Sequence, residues 1–309
     1  GGKPFRWLNR GMKPEVVTPQ TLPPASPKTK RYGVLGFPVT HSLSPVLQEA
    51  GFGALGIAAE YFRVEIPREN LAASIPRLRG NGFLGWNCTL PHKEAMAGLC
   101  DVLDASAREC GSVNTVRVSP KGLEGFSTDA DGWEDAVKEA WKPDLSAMRI
   151  LVLGCGGVGR TLAFRLARRG CLSLALANRT EAKARQLAAE IGKFREKPPS
   201  VIPWDPGALT RAAKESDLLI HATPLGLSPG DPLPFPEECL HQGLRVYDTV
   251  YHPKGTALLH RARSRGLPAL DGLGMLLHQG ARALTLWTGL PAPVGAMRSA
   301  LEQAAGRPL

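Results

Sequence analysis

Three short stretches combine residue types that can move a proton, hold an anion or cradle a phosphate. In Asn87-Cys88-Thr89-Leu90-Pro91-His92-Lys93, a proline suited to the first helical position precedes a lysine in the first turn. A cation there meets the positive end of the helix dipole, which makes it readier to release a proton and so to act as a general acid or base. The plain alternative is an exposed lysine at a helix start. Phe126-Ser127-Thr128-Asp129-Ala130-Asp131-Gly132 leads into a helix and supplies a carboxylate at Asp129. With Thr128 as cap and Asp131 at the third position, Asp129 reads equally well as an ordinary acid near a helix start. In Gly36-Phe37-Pro38-Val39-Thr40-His41-Ser42-Leu43-Ser44-Pro45, Ser44 before Pro45 reads as the N-cap. Ser42 is not needed for that cap, so two hydroxyls near a helix start could hold a carboxylate.

The glycine cluster Gly154-Cys155-Gly156-Gly157-Val158-Gly159 fits G-x-G-x-x-G. Alone it is a weak signal, but it follows an apolar run at 149–153 and opens a helical segment at 160–169, the setting of a dinucleotide-binding turn. Glycine is needed there because the backbone must turn sharply and come close to a pyrophosphate. At the end of the next strand, Asn178-Arg179-Thr180 carries no acid to receive a ribose 2′-hydroxyl. An arginine there suits a 2′-phosphate instead, which favours NADP over NAD.

The pattern around these residues predicts the elements that hold them. Residues 32–36, 60–66 and 82–86 read as strands, with helices at 44–55, 67–79 and from Pro91. A strand pair is expected at 112–118 and 123–126, and a helix at 129–141. Residues 149–153, 172–177, 217–221 and 245–248 then read as strands of further βα units, and 275–289 and 293–305 as closing helices. The expected fold is two α/β domains: a mostly parallel sheet domain and a Rossmann-like domain. Residues 1–30, with six prolines, read as a flexible tail or linker.

Composition narrows the classes. The net charge of +10 is half concentrated in residues 1–30, which hold six Lys/Arg against Glu15. Without a basic stripe or nucleic-acid-binding spacing in the remainder, no nucleic-acid partner is expected, and anionic small substrates fit the charge as well. No run of roughly 18 apolar residues predicts a membrane span. Six scattered cysteines without C-x-x-C or metal-ligand spacing argue for reduced thiols, no metal and a cytoplasmic setting.

Further motifs join these in order: Gly111-Ser112-Val113-Asn114-Thr115, Thr223-Pro224-Leu225-Gly226, Asp248-Thr249-Val250-Tyr251, and Gly274-Met275-Leu276-Leu277-His278-Gln279-Gly280-Ala281, with Trp287-Thr288-Gly289 downstream. With them, the chain resembles the shikimate dehydrogenases over about residues 31–309. The resemblance implies a substrate and catalytic domain at 31–142 plus 275–309, its C-terminal helices returning to the first lobe, and an NADP-binding domain at 143–274. It implies reversible reduction of 3-dehydroshikimate to shikimate in chorismate biosynthesis, with Lys93 and Asp129 as the catalytic pair. Ser42 and Ser44 would bind the carboxylate, with Tyr251 nearby. Asn87, Thr89, Asn114, Asp129 and Gln279 would meet the ring hydroxyls. Gly154, Gly156, Gly157, Val158, Gly159, Asn178, Arg179, Thr180, Thr223, Gly272 and Met275 would hold NADP.

Several residues depart from the family pattern. Ser127 stands for a common Asn, His221 for the usual Asn before Ala-Thr-Pro, Gln48-Glu49 for a common His-Asn, and Cys88 sits at a usually apolar position. Quinate or dual quinate/shikimate oxidation, a non-catalytic NADP-binding regulator, and a module of a multifunctional enzyme are the competing readings. A monomer and a homodimer are both compatible with the sequence.

Overall fold

Short apolar runs alternating with amphipathic segments build two α/β units, which the computed structural model describes over residues 16–309. The first unit runs to Ser127 and takes in Ala283–Ala300; the second comprises Thr128–Arg282 and Leu301–Leu309.

In the first unit the elements are β1 (Val16–Val17), β2 (Lys30–Gly36), α1 (Ser44–Ala54), β3 (Ala59–Glu65), α2 (Leu71–Gly80), β4 (Phe83–Cys88), α3 (Lys93–Leu99), β5 (Val102–Leu103), α4 (Ala105–Cys110), β6 (Thr115–Ser119) and β7 (Gly122–Phe126). They form one sheet in the order β1-β3-β2-β4-β6-β7-β5. Its pairings are parallel except where β6 runs antiparallel to β4 and β7. The core on one side of this unit gathers Leu35, Val64, Ile66, Leu78, Phe83, Trp86 and Met96. Such continuous burial is what a parallel sheet covered by helices requires.

The expected tail is corrected in part. Residues 1–15 lie outside the described residues, but 16–30 are not a free linker. Val16 and Val17 pair with Arg63 and Val64 of β3, Val17 is buried, and the Arg31 guanidinium donates to the Pro24 carbonyl at 2.7 Å. Backbone pairing on an open sheet edge, together with Leu22 packed against the core, outweighs the proline-rich composition.

In the second unit α5 (Asp129–Trp141) precedes β8 (Arg149–Leu153), α6 (Gly157–Arg168), β9 (Ser173–Ala177), α7 (Glu181–Gly192), β10 (Ser200–Val201), α8 (Pro206–Lys214), β11 (Leu218–His221), β12 (Arg245–Asp248), α9 (Ala257–Ser264) and β13 (Ala269–Leu270). Its sheet is parallel throughout, in the order β10-β9-β8-β11-β12-β13. α10 (Gly272–Thr288) and α11 (Val294–Ala305) close the chain. Residues 283–300, from the second half of α10 into α11, belong to the first unit, where the Trp287 indole donates to the Val116 carbonyl at 2.9 Å.

Some expected boundaries move. β6 begins at Thr115 rather than near 112: the Val113 amide turns away to the Lys93 carbonyl, and pairing with β7 starts only where Asn114 donates to the Phe126 carbonyl. α4, α8 and α9 were not anticipated; each starts at a residue whose side chain caps it, Asp104, Asp205 and Thr256.

Candidate active site

The loop between β2 and α1 carries Ser42 and Ser44, and its capping is the reverse of the expectation. Ser44 is the first residue of α1 and makes no cap bond; Leu43 occupies the cap position. Ser42 Oγ accepts the Ser44 amide at 3.3 Å. The Ser42 carbonyl is in turn gripped by Arg63 of β3, whose Nε donates at 2.9 Å and whose Nη2 donates as well. Two residues earlier on the same face of β3, Tyr61 hydrogen-bonds the Ser44 side chain. The phenol also donates to Asn87 Oδ1 at 2.6 Å.

Asn87, near the end of β4, is buried and has both amide hydrogens committed. Its Nδ2 donates to the Asn114 carbonyl at 3.1 Å and to Thr115 Oγ1 at 3.0 Å. Thr115 Oγ1 passes its own proton to Asn114 Oδ1 at 3.1 Å. Ser44, Asn87 and Asn114, named from separate motifs, are therefore joined in one network through Tyr61, which the sequence did not single out, and Thr115, which it quoted without a role. Thr89 follows β4, half-buried, with its amide donating to the Leu35 carbonyl at 2.9 Å.

Pro91 does not start the helix. The Leu90-Pro91 bond is cis, and α3 begins at Lys93, so the lysine is in the first turn but as its first residue. What holds it there is His92. This ring is fully buried, and Nε2 lies 2.7 Å from the Ile66 carbonyl. Burial lowers the His92 pKa, so the neutral ring donates this bond; the Ile66 bond opposes that fall, and Arg68 reinforces it. The Lys93 carbonyl receives the Val113 amide at 2.9 Å. Cys88 packs in the same core as a small apolar group, its thiol pushed up by burial.

In the second unit Asp129 is buried at the first position of α5. Thr128 sits at the cap position but does not cap; its hydroxyl donates to the Gln279 carbonyl at 3.0 Å. That contact ties the start of α5 to α10, where Gln279 Nε2 donates to the Leu276 carbonyl at 2.8 Å. Lys93 and Asp129 belong to different units. Ser127 is buried, and its backbone is bracketed by Ser106 Oγ, which accepts its amide and donates to its carbonyl.

The glycine loop sits between β8 and α6. Gly154 has φ +102, and a Cβ there would meet the Ala222 carbonyl oxygen at 2.6 Å. At Gly159 a Cβ would lie 1.8 Å from the Gly154 carbonyl oxygen, so only glycine lets the helix pack onto the loop. Gly156 and Gly157 face open space. α6 starts at Gly157, which aims the first helical amides, including those of Val158 and Gly159, out of the loop. Asn178 braces this arrangement: its Oδ1 accepts the Cys155 amide at 2.9 Å and its Nδ2 donates to the Thr180 carbonyl at 2.9 Å. Arg179 and Thr180 are exposed beside it. A further cation, Lys183 in the first turn of α7, lies close enough to oppose the rise of the buried Cys155 thiol to about 12.

His221 is the last residue of β11 and is wholly buried. Its Nδ1 lies 3.1 Å from Asp248 Oδ1, and its Nε2 bonds the Thr223 hydroxyl. Asp248 Oδ2 accepts the Thr256 hydroxyl at 2.8 Å. The departure at 221 is thus a satisfied strand-end histidine that braces the Thr223 loop. Gly272 donates its amide to the Val250 carbonyl at 3.0 Å and opens α10; Met275, one turn on, is buried, and Tyr251 is half-buried. Among the described residues no cluster of His, Cys, Asp or Glu is arranged to hold a metal, and no helix is long and apolar enough to cross a membrane.

This geometry has close relatives. Residues 34–116 match the shikimate dehydrogenase substrate binding domain, and residues 272–302 the shikimate 5′-dehydrogenase C-terminal domain. The intervening residues 150–270 match the saccharopine dehydrogenase NADP binding domain. Shikimate dehydrogenase (NADP(+)) of Rubrobacter xylanophilus is 44% identical over 284 residues, covering 91% of this chain and 99% of that protein. The crystal structure of shikimate 5-dehydrogenase from Thermus thermophilus with NADP(H) and shikimate is 38% identical, with a TM-score of 0.79, and covers 89% of this chain and 99% of its own. Quinate dehydrogenase from Corynebacterium glutamicum in complex with NAD is 30% identical, with a TM-score of 0.78, covering 89% and 99%.

Proposed function

The chain belongs to the shikimate dehydrogenase family, and we propose that it catalyses the NADP-dependent, reversible reduction of 3-dehydroshikimate to shikimate in chorismate biosynthesis. The carrying observation is the substrate-domain match over residues 34–116, within which Ser42, Ser44, Asn87, Thr89, Lys93 and Asn114 all fall. The dinucleotide loop supports the cofactor: it is open where a pyrophosphate would approach and closed to any side chain at Gly159. Arg179, exposed just past β9, suits a 2′-phosphate. Thr180, Thr223, Gly272 and Met275 complete the cofactor residues in this reading.

Bound NADPH supplies the hydride. The chain's own residues do the rest. Lys93 stabilises the negative charge that grows on the C3 oxygen and delivers the proton; in the oxidative direction its amine accepts that proton. Asp129 is the second member of the catalytic pair in this reading, a carboxylate buried at the start of α5. Ser42 and Ser44, with Tyr251, hold the carboxylate, while Asn87, Thr89, Asn114 and Gln279 sort the ring hydroxyls. In this reading residues 31–142 with 275–309 bind substrate and 143–274 bind NADP, although α5 and residues 301–309 group by their contacts with the second unit and not the first.

The quinate dehydrogenase likeness sustains a second reading, a dual quinate/shikimate enzyme. Steady-state assays with shikimate and quinate, each against NADP and NAD, decide between them. The reading expects shikimate with NADP to give the highest kcat/KM; a preference for quinate with NAD would overturn it.

A further inference from the structure

The contacts of Asn87, a proposed hydroxyl-binding side chain, fix how its donors and acceptor are used. The Asn114 carbonyl can only accept, so the Asn87 amide group must turn its NH2 toward it, and Thr115 Oγ1 takes the second hydrogen. The side-chain oxygen then faces Tyr61, which must donate. Tyr61 has a single proton, so its bond with Ser44 runs from the serine hydroxyl to the phenol oxygen. Burial pushes the Tyr61 phenol well above its ordinary pKa, the Ser44 bond opposing only in part, so this donor persists across the working pH range.

The fold explains why a tyrosine is needed. β2 lies between β3 and β4, with Tyr32 opposite Tyr61 and Val34 opposite Asn87. The two strands are therefore two spacings apart, about 9–10 Å, a gap that a phenol bridges and a serine or threonine does not. Trp287 packs against the Tyr61 ring, with centroids 6.3 Å apart. The serine loop is anchored separately by Arg63 on the Ser42 carbonyl, so removing the Tyr61 hydroxyl alone would release neither the ring nor the loop.

We infer that Tyr61 is a positioning residue for substrate specificity: by donating to Asn87 it leaves that side chain one outward acceptor, so Asn87 selects a ring hydroxyl that donates and rejects a ring position that cannot. This deepens the proposed function and rests on Asn87 being a substrate contact.

The test compares wild type, Tyr61→Phe, Asn87→Ala and the double variant, assayed with shikimate and with analogues each lacking one ring hydroxyl. Tyr61→Phe is expected to raise the KM for shikimate about tenfold, with kcat lowered less than threefold and the KM for NADP within twofold. Wild type should penalise one analogue most; Tyr61→Phe should shrink that penalty alone and add nothing in the Asn87→Ala background. An unchanged Tyr61→Phe beside an impaired Asn87→Ala overturns the inference while sparing the proposed function. A loss spread evenly over all analogues and over NADP would mean a structural role only, which also overturns it. Normal kinetics in Asn87→Ala removes the premise and the inference together. Failure of the wild-type protein to oxidise shikimate rejects the function itself, and the inference with it.

Discussion

The Ser44–Tyr61–Asn87 network and the Gly154–Gly159 loop are both binding surfaces, yet they are built from opposite materials. The first is made of side chains on β3, β4 and α1, each with its donors and acceptors assigned by a neighbour. The second is made of backbone, shaped by what is missing at Gly154 and Gly159. A side-chain site can discriminate between a hydroxyl and its absence, because an unmatched buried polar group is costly. A backbone site grips any pyrophosphate, and leaves discrimination between cofactors to a flanking cation.

Four substitutions sharpen or break this contrast. Lys93→Ala should lower kcat by about a thousandfold while shikimate binding, followed by titration, is nearly retained, as removing a general acid does; near-normal kcat would reject Lys93 as the proton donor. Gly159→Ala should raise the KM for NADP about a hundredfold and lower Tm by several degrees, since the new Cβ would lie 1.8 Å from the Gly154 carbonyl oxygen. Shikimate affinity should be preserved, and its loss would argue that the two surfaces are not separable.

Arg179→Ala should reduce the preference for NADP over NAD by about tenfold, roughly one charge-assisted hydrogen bond, with kcat/KM for NAD little changed. An equal loss with both cofactors would instead make Arg179 a general anion contact. The smallest effect concerns Glu49, whose carboxyl is raised to about 7 by burial, against the Tyr61 amide and Arg63. Folding favours its neutral form, so its contribution is complete below the ordinary carboxylate range and fades as pH rises through about 7. Glu49→Gln should therefore gain a few degrees of Tm over wild type at about pH 9 and little at about pH 5. A constant difference across that range would reject the assignment.

Local chemistry was legible where one segment contains all of it. The turn at Gly154, the cation at Arg179 and the lysine leading α3 follow from residues a few positions apart, because backbone turns, helix starts and strand ends are set by near neighbours. Capping was less legible. Ser44 and Thr128 have the right type to cap, but Ser44 falls one residue inside α1 and the Thr128 hydroxyl goes to the Gln279 carbonyl. Ser42, dismissed for that task, receives the amide instead.

Motif order by itself determined the fold class, the family and the residues worth testing. Only the tertiary structure decided how they are wired. Tyr61 lies 26 positions from Asn87 and reaches it across an intervening strand, and His221 meets Asp248 from 27 positions away. Such partners are chosen by strand order and register, which bring distant residues onto one face of a sheet; no local spacing encodes that choice. The direction in which each hydroxyl gives its proton is a further step removed, because it depends on every neighbour in the chain of bonds at once.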